Sequence, residues 1–257
     1  MLIKRTRIPI TDILIYGFLP NFLKKLVYRL KGYKIGKKVN FSLGSVVIGK
    51  NVEIGDKTGI GFLTVLRGRD IKIGKRVSIG TITFIDTPYI EIGDGTVITE
   101  QVFVGGLESK ESKLIIGKNA TIMQMSYVNT VRPVYIGDDT GIGGHCLIFS
   151  HGVWLNKFEG YPVDFAPVEI GNSVWLPWRV FVMPGVKIGD GSVIGANSLV
   201  TKNIPAKSLA VGAPAKVILS EPNFPRTLSH EDKKTLLKEA MEDMGEHFKF
   251  YDIKCEQ

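Results

Sequence analysis

The chain has 257 residues, 44% of them hydrophobic, which is enough to bury a full-sized core. Its two cysteines, Cys146 and Cys255, cannot build a disulfide framework, and no run reads as a signal peptide with its cleavage site; small secreted scaffolds are excluded and a reducing, cytoplasmic setting fits. The net charge of +8 is local: residues 1–38 hold ten Lys/Arg against Asp12 alone, while the rest carries 23 basic and 24 acidic residues, so the body has no footprint for nucleic acid.

The basic arm, residues 1–34, comes first. Lys4, Arg5, Arg7, Lys24, Lys25, Arg29 and Lys31 alternate with Ile13, Leu14, Ile15, Phe18, Leu19, Phe22, Leu23, Leu26, Val27 and Leu30, and Pro20 interrupts the run. The apolar stretch is too short and too broken to span a bilayer. Two readings fit the arm: a basic amphipathic segment resting on an anionic membrane surface, at its inner face, or a helix that caps whatever follows. They can coexist.

A six-residue period takes over across residues 35–219. Ile-Gly dipeptides recur at Ile54, Ile60, Ile73, Ile79, Ile92, Ile116, Ile136, Ile142, Ile170, Ile188 and Ile194. Aliphatic positions group into seven triplets, 54/60/66, 73/79/85, 92/98/104, 116/122/128, 136/142/148, 170/176/182 and 188/194/200, and all twenty-one are Ile, Val or Leu. Six is neither a helical nor a hairpin period; it suits a chain that turns a corner every six residues. Each triplet predicts one triangular coil of about eighteen residues with one aliphatic knob per side pointing inward, an all-β parallel β-helix. An irregular earlier coil takes in Ile35, Phe41 and Ile48.

Two residues before each knob runs a second inward column of small or β-branched side chains, such as Thr58, Thr64, Thr140, Cys146 and Ser192. Gly follows the first and second knobs in eleven of fourteen cases, which predicts tight turns of positive φ there. After the third knob come Arg67, Asp86, Gly105, Asn129, Phe149, Met183 and Thr201 instead, and the extra residues between triplets, 149–169 the longest stretch, all leave from that corner. Loops from one corner of successive coils stack on one edge of the prism, where a site would be built. In the tail, residues 220–257, a capping-box start at Ser229 and Asp232 precedes Leu236, Leu237, Ala240, Met241, Met244 and Phe248. This predicts an amphipathic helix that packs on the solenoid end or on a neighbouring subunit.

Of the four histidines, His230 and His247 lie in the tail and His145 falls on a turn, a structural position. His151 sits three residues after the knob Ile148, at the mouth of the longest insertion. A neutral imidazole there can take a hydroxyl or amine proton near neutral pH, although position alone leaves general base and ordinary loop residue equally open. The phase of Cys146 makes it a buried core thiol rather than a nucleophile. Asp86, Asn129 and Arg132 approach His151 by coil stacking and are acceptor-side candidates. Trp175 is phased outward and is either a ligand contact or an interface residue.

The Ile-Gly-x-x-small-x repeats are followed by Phe149-Ser-His-Gly152, by Ile170-Gly-Asn-Ser-Val-Trp175, by the stretch from Met183-Pro-Gly to Val-Thr-Lys202, and by Ala210-Val-Gly-Ala-Pro-Ala-Lys216. Together these resemble the hexapeptide-repeat acyltransferase family, and within it the maltose/galactoside and polysaccharide O-acetyltransferases. The resemblance implies a left-handed β-helix assembled as a homotrimer, acetyl-CoA as co-substrate in the groove between subunits, and no metal. It puts the catalytic histidine at His151 and CoA contacts at Ala196, Thr201, Lys202 and Lys216. The family's pantetheine contact would fall on Trp178, but the run Trp175-Leu-Pro-Trp178 departs from the usual glycine and small polar residue, and the family's acceptor-binding Asn and Asp find no match.

The expected activity is transfer of a short acyl group to a hydroxyl of a sugar or surface-polysaccharide precursor. The alternatives are an N-acyltransferase on a nucleotide-linked amino sugar, a metal-dependent hydratase of the same fold, and a non-catalytic scaffold. The hydratase would need three histidine ligands where the solenoid offers only His145 and His151. A bare scaffold needs neither Lys202 and Lys216 nor a histidine-bearing insertion.

Overall fold

The computed structural model describes residues 9–152, 157–161, 164–251 and 253, so Lys4, Arg5, Arg7 and Cys255 lie outside the described residues. Each hexad yields a strand of two to four residues and a corner, and equivalent strands of successive coils hydrogen-bond in parallel. Three parallel sheets result. The first face runs from Lys34–Ile35 to Lys187–Ile188, the second from Asn40–Phe41 to Ser208–Val211, and the third from Val46–Ile48 to Leu199–Val200. Register pairs knob with knob: Ile92 with Ile73 and Ile116, Ile98 with Ile79 and Ile122, Val104 with Ile85 and Val128. None of the twenty-one knobs is more than 2% exposed, and the expected β-helix stands. Each is worth about 1.5–3 kcal/mol of burial, and only against the coil above and below it.

The small column does more than fill space. Thr58, Thr96 and Ser126 donate to the carbonyls of Gly74, Gly117 and Gly143 at 2.8, 2.7 and 2.9 Å, and accept the backbone N–H of Val77, Ala120 and Cys146. Each hydroxyl thereby stitches its corner to the next coil and satisfies backbone groups the sheets leave over.

Two expectations change. In the first coil Val47, not Ile48, is the inward knob: it pairs with Leu66 and is buried, while Ile48 pairs with Arg67. A one-residue slip along a strand exchanges the faces, and with Val47 the coil reads 35/41/47, the same six-residue spacing as the coils that follow. The glycines after the knobs are not the residues of positive φ. That conformation falls two residues later, at Leu63, Arg76, Ile82, Met125, His145 and Arg179, with φ of 50–60°. Glycine is required after the knob by close approach instead: a Cβ on Gly61, Gly80 or Gly93 would lie 2.5 Å from the backbone of the next coil.

The two ends are closed differently. At the N-terminal end, Ile10–Asp12 and a π-helical turn, Ile13–Gly17, lead to the helix Asn21–Leu30. This helix lays its polar side on the first coil. Asn21 accepts the N–H of Phe41 at 3.1 Å, the Tyr28 hydroxyl accepts that of Val47 at 2.9 Å, and the buried Lys24 ammonium donates to the carbonyls of Gly17, Ser42 and Ser45 at 2.9–3.0 Å. At the other end Lys216–Ser220 pairs antiparallel with Ser208–Val211, so a reversed strand ends the stack. The helix His230–Phe250 has the expected capping box, with Asp232 N–H on the Ser229 hydroxyl at 3.1 Å. No residue of it is buried, so the expected packing on the solenoid end is not made, and Leu237, Met241 and Met244 stay uncovered.

Candidate active site

The third corner carries the loops, as the spacing of the triplets requires. Where the longest insertion leaves it, His151–Gly152 pairs antiparallel with Asp164–Phe165, so the returning chain sets Phe165 opposite His151. The imidazole, partly buried, sits between Phe149 and Phe165, with ring centroids 6.2 and 5.9 Å away. Phe149 itself continues an outward ladder on the third face, Phe84–Phe103–Tyr127, with neighbouring rings 5.1–5.5 Å apart.

His151 Nδ1 is 2.8 Å from Oδ1 of Asn129, the residue that stands one coil below Phe149 in register. The same oxygen receives the backbone N–H of Val131 at 3.4 Å. A backbone N–H can only donate, so the amide presents oxygen, not nitrogen, to this side, and Nδ1 must carry the imidazole proton. The lone pair then resides on Nε2. Burial holds the pKa of His151 below the ordinary imidazole value, which keeps the ring neutral near pH 7.

Ser150 ties the corner together: its hydroxyl donates to the Asn129 carbonyl at 2.8 Å and accepts the N–H of Arg132 at 2.9 Å. The Arg132 side chain pairs with Glu111 at 3.4 Å, reaches the Ser109 hydroxyl at 3.3 Å, and lays its guanidinium 5.4 Å from the centre of the Phe165 ring. Arg132, Phe165, His151 and Phe149 thus form one stack. Of the three acceptor-side candidates, Asn129 is 1% exposed and turns to the imidazole, Arg132 stands at the rim, and Asp86 is elsewhere. Asp86 lies three coils away, about 14 Å at the usual strand spacing, where Arg67 grips both its oxygens, Nε at 2.7 Å from Oδ1. Sequence reasoning misses Phe149, Ser150 and Phe165. Strand alternation could have marked Phe149 as outward, whereas nothing inside the insertion marks Phe165.

The donor-side candidates fall along the two edges that border the third face. Trp178 and Ala196 share the second corner on adjacent coils, where the N–H of Asn197 donates to the Trp178 carbonyl at 3.0 Å. The Trp178 indole, 43% exposed, tilts on the His145 ring at 5.6 Å and covers Gly144, where a Cβ would come within 2.7 Å of it. Trp175 lies in the same way over Gly141 and is 37% exposed. Thr201 and Lys202 are exposed on the third corner, two coils beyond Ile148. Lys216 opens the reversed strand, next to Ala215, whose N–H donates to the Leu199 carbonyl at 2.8 Å. Cys146 is buried, its thiol pushed up to about 11 by burial and donated to the Pro177 carbonyl at 3.0 Å, so it is no nucleophile. Among the described residues no group of three or more His, Cys, Asp or Glu is arranged to hold a metal ion.

A family model described as bacterial transferase hexapeptide (six repeats) matches residues 167–202. The galactoside O-acetyltransferase of Escherichia coli (strain K12) is 45% identical over 170 residues, 57% of this chain and 73% of that protein. A Staphylococcus aureus (strain Mu50 / ATCC 700699) protein with a provisional acetyltransferase name is 51% identical over 74 residues, 29% of this chain; the chain spans only 34% of that relative's length. Among solved structures, the polySia-specific acetyltransferase NeuO shares the fold with a TM-score of 0.50 at 22% identity, over 81% of this chain and 96% of its own. With its seven regular coils, its specific terminal motifs and a relative matched over most of that relative's length, the chain belongs to the hexapeptide-repeat acyltransferase family.

Proposed function

We propose that the protein moves a short acyl group, acetyl in the first instance, from acyl-CoA to a hydroxyl of a sugar or surface-polysaccharide precursor, with His151 as general base. The observation that carries this reading is the 2.8 Å contact between His151 Nδ1 and Asn129 Oδ1, which leaves Nε2 unprotonated on a partly exposed edge. Nε2 takes the proton of the acceptor hydroxyl as its oxygen attacks the thioester carbonyl. The tetrahedral oxyanion is held by a backbone N–H, and its collapse breaks the C–S bond, with the proton passing to the departing thiolate. Arg132 and Phe165 flank the acceptor side: a cation beside an aromatic face suits a polar ring with apolar edges. On the donor side, Trp178 and Ala196 border the pantetheine arm and Thr201, Lys202 and Lys216 meet the nucleotide phosphates. A homotrimer would supply the second wall of the groove that an open prism edge lacks.

The test is His151→Ala assayed with acetyl-CoA against a panel of sugars and glycan fragments. Turnover falls by about 10²–10⁴-fold while acetyl-CoA still raises the melting temperature. Undiminished acyl transfer by that variant overturns the assignment, and absence of any CoA-dependent stabilisation in the parent protein overturns the donor.

A further inference from the structure

Capping explains only half of the N-terminal helix. The end of a β-helix presents unpaired backbone N–H and C=O groups, so the side of Asn21–Leu30 that closes it has to be polar, and it is: Asn21, Lys24 and Tyr28 face inward and take up those groups. The apolar side therefore faces out. Phe22, Leu26 and Leu30, spaced four apart on one stripe, are 68, 53 and 80% exposed, and Leu14, Ile15 and Phe18 ahead of the helix are each at least half exposed. Lys25 and Arg29 occupy the stripe immediately beside it. No helix among the described residues is long and apolar enough to cross a membrane.

We propose that this face docks the protein on an anionic lipid surface, the six apolar side chains entering the boundary between headgroups and acyl chains while Lys25 and Arg29 meet lipid phosphates. Charge complementarity selects this occupant. The basic surplus of the whole chain is concentrated in residues 1–38, with Lys25 and Arg29 bordering this face, and the remainder of the molecule is close to neutral. A second copy of the chain would bring the same basic stripe against itself. The inference goes beyond acyl transfer and stands without it.

Co-sedimentation of the full chain with vesicles tests it. The protein is expected to pellet with vesicles of phosphatidylcholine containing phosphatidylglycerol, and much less with phosphatidylcholine alone. Phe22→Asp with Leu26→Asp is expected to lower the bound fraction by about tenfold or more, with melting temperature and solution mass unchanged because both side chains are already exposed. Lys25→Glu alone is expected to weaken binding to the anionic vesicles and leave the fold intact. A parent protein that stays in the supernatant, or pellets equally with both lipids, overturns the proposal. So does a double variant that binds like the parent, or one whose mass in solution drops, which would make the face a contact between copies of the chain.

Discussion

In the proposed mechanism Asn129 decides what His151 can do. Its amide oxygen fixes the imidazole tautomer, and its own position is held by Ser150 and Val131 rather than by solvent. Asn129→Ala should leave CoA-dependent stabilisation intact and cost about 10–100-fold in kcat, since the ring loses the partner that keeps its lone pair on Nε2. Asn129→Asp works in the opposite direction on the proton: a carboxylate at 2.8 Å favours the charged imidazolium and raises the pKa that burial lowers. In the parent enzyme, activity is expected to persist below the ordinary imidazole range and to fall as pH drops through the depressed pKa. In the Asp variant that acid limb should move to higher pH. A profile of kcat/KM against pH measures both, and an acid limb identical in the two proteins would show that His151 does not titrate in the rate. The place of His151 on the loop-bearing edge was legible from its spacing after a third knob. That the Asn129 side chain turns to it was not, because coil stacking gives proximity along the edge but not the direction of a side chain where a loop leaves the strand.

At the scale of one coil, the division of labour between two neighbouring corner positions was hidden in the repeat. The glycine after a knob gives the next coil room, while the left-handed turn is made two residues on, mostly by residues other than glycine. Gly80→Ala would drive a methyl into the backbone around Thr99 and should destabilise by about 2–3 kcal/mol, read from denaturant unfolding. Ile82 stands at the left-handed position with φ of 53° and is half exposed, an unfavourable site for a β-branched side chain. Asparagine accepts that conformation, as Asn119 and Asn197 do at the equivalent corners. Ile82→Asn is therefore expected to stabilise by about 1 kcal/mol, a melting temperature a few degrees higher. The knobs and the small column could be read in advance because burial is dictated by period. Which corner residue is strained depends on backbone angles that glycine counts alone misassign.

Across the whole molecule, each coil bonds only to its neighbours, so the first and last coils depend on what covers them. Lys24 is the pivot of the N-terminal cover. Burial lowers its pKa to about 8, still above neutral, so it remains an ammonium with three carbonyls around it. Lys24→Met would take from the Ser45 carbonyl its ammonium donor, while those of Gly17 and Ser42 keep the N–H of Gly44 and of Ser45, and should cost about 2–3 kcal/mol, seen as faster amide exchange at Val47 and Phe41. The long stack was predictable from sequence, and a helix capping its first coil was one of the two readings of the arm; the reversed strand at the other end was not, because it is a single unrepeated arrangement. At the C-terminal end Lys216–Ser220 runs against the direction of every strand below it on the second face. A parallel rung is a template on which a further parallel rung, from this chain or another, could crystallise end to end. The reversed strand removes that template, and with a helix over the opposite end the prism is finite in both directions. Deleting residues 216–220 should expose it again and turn a discrete particle into one that grows into fibres.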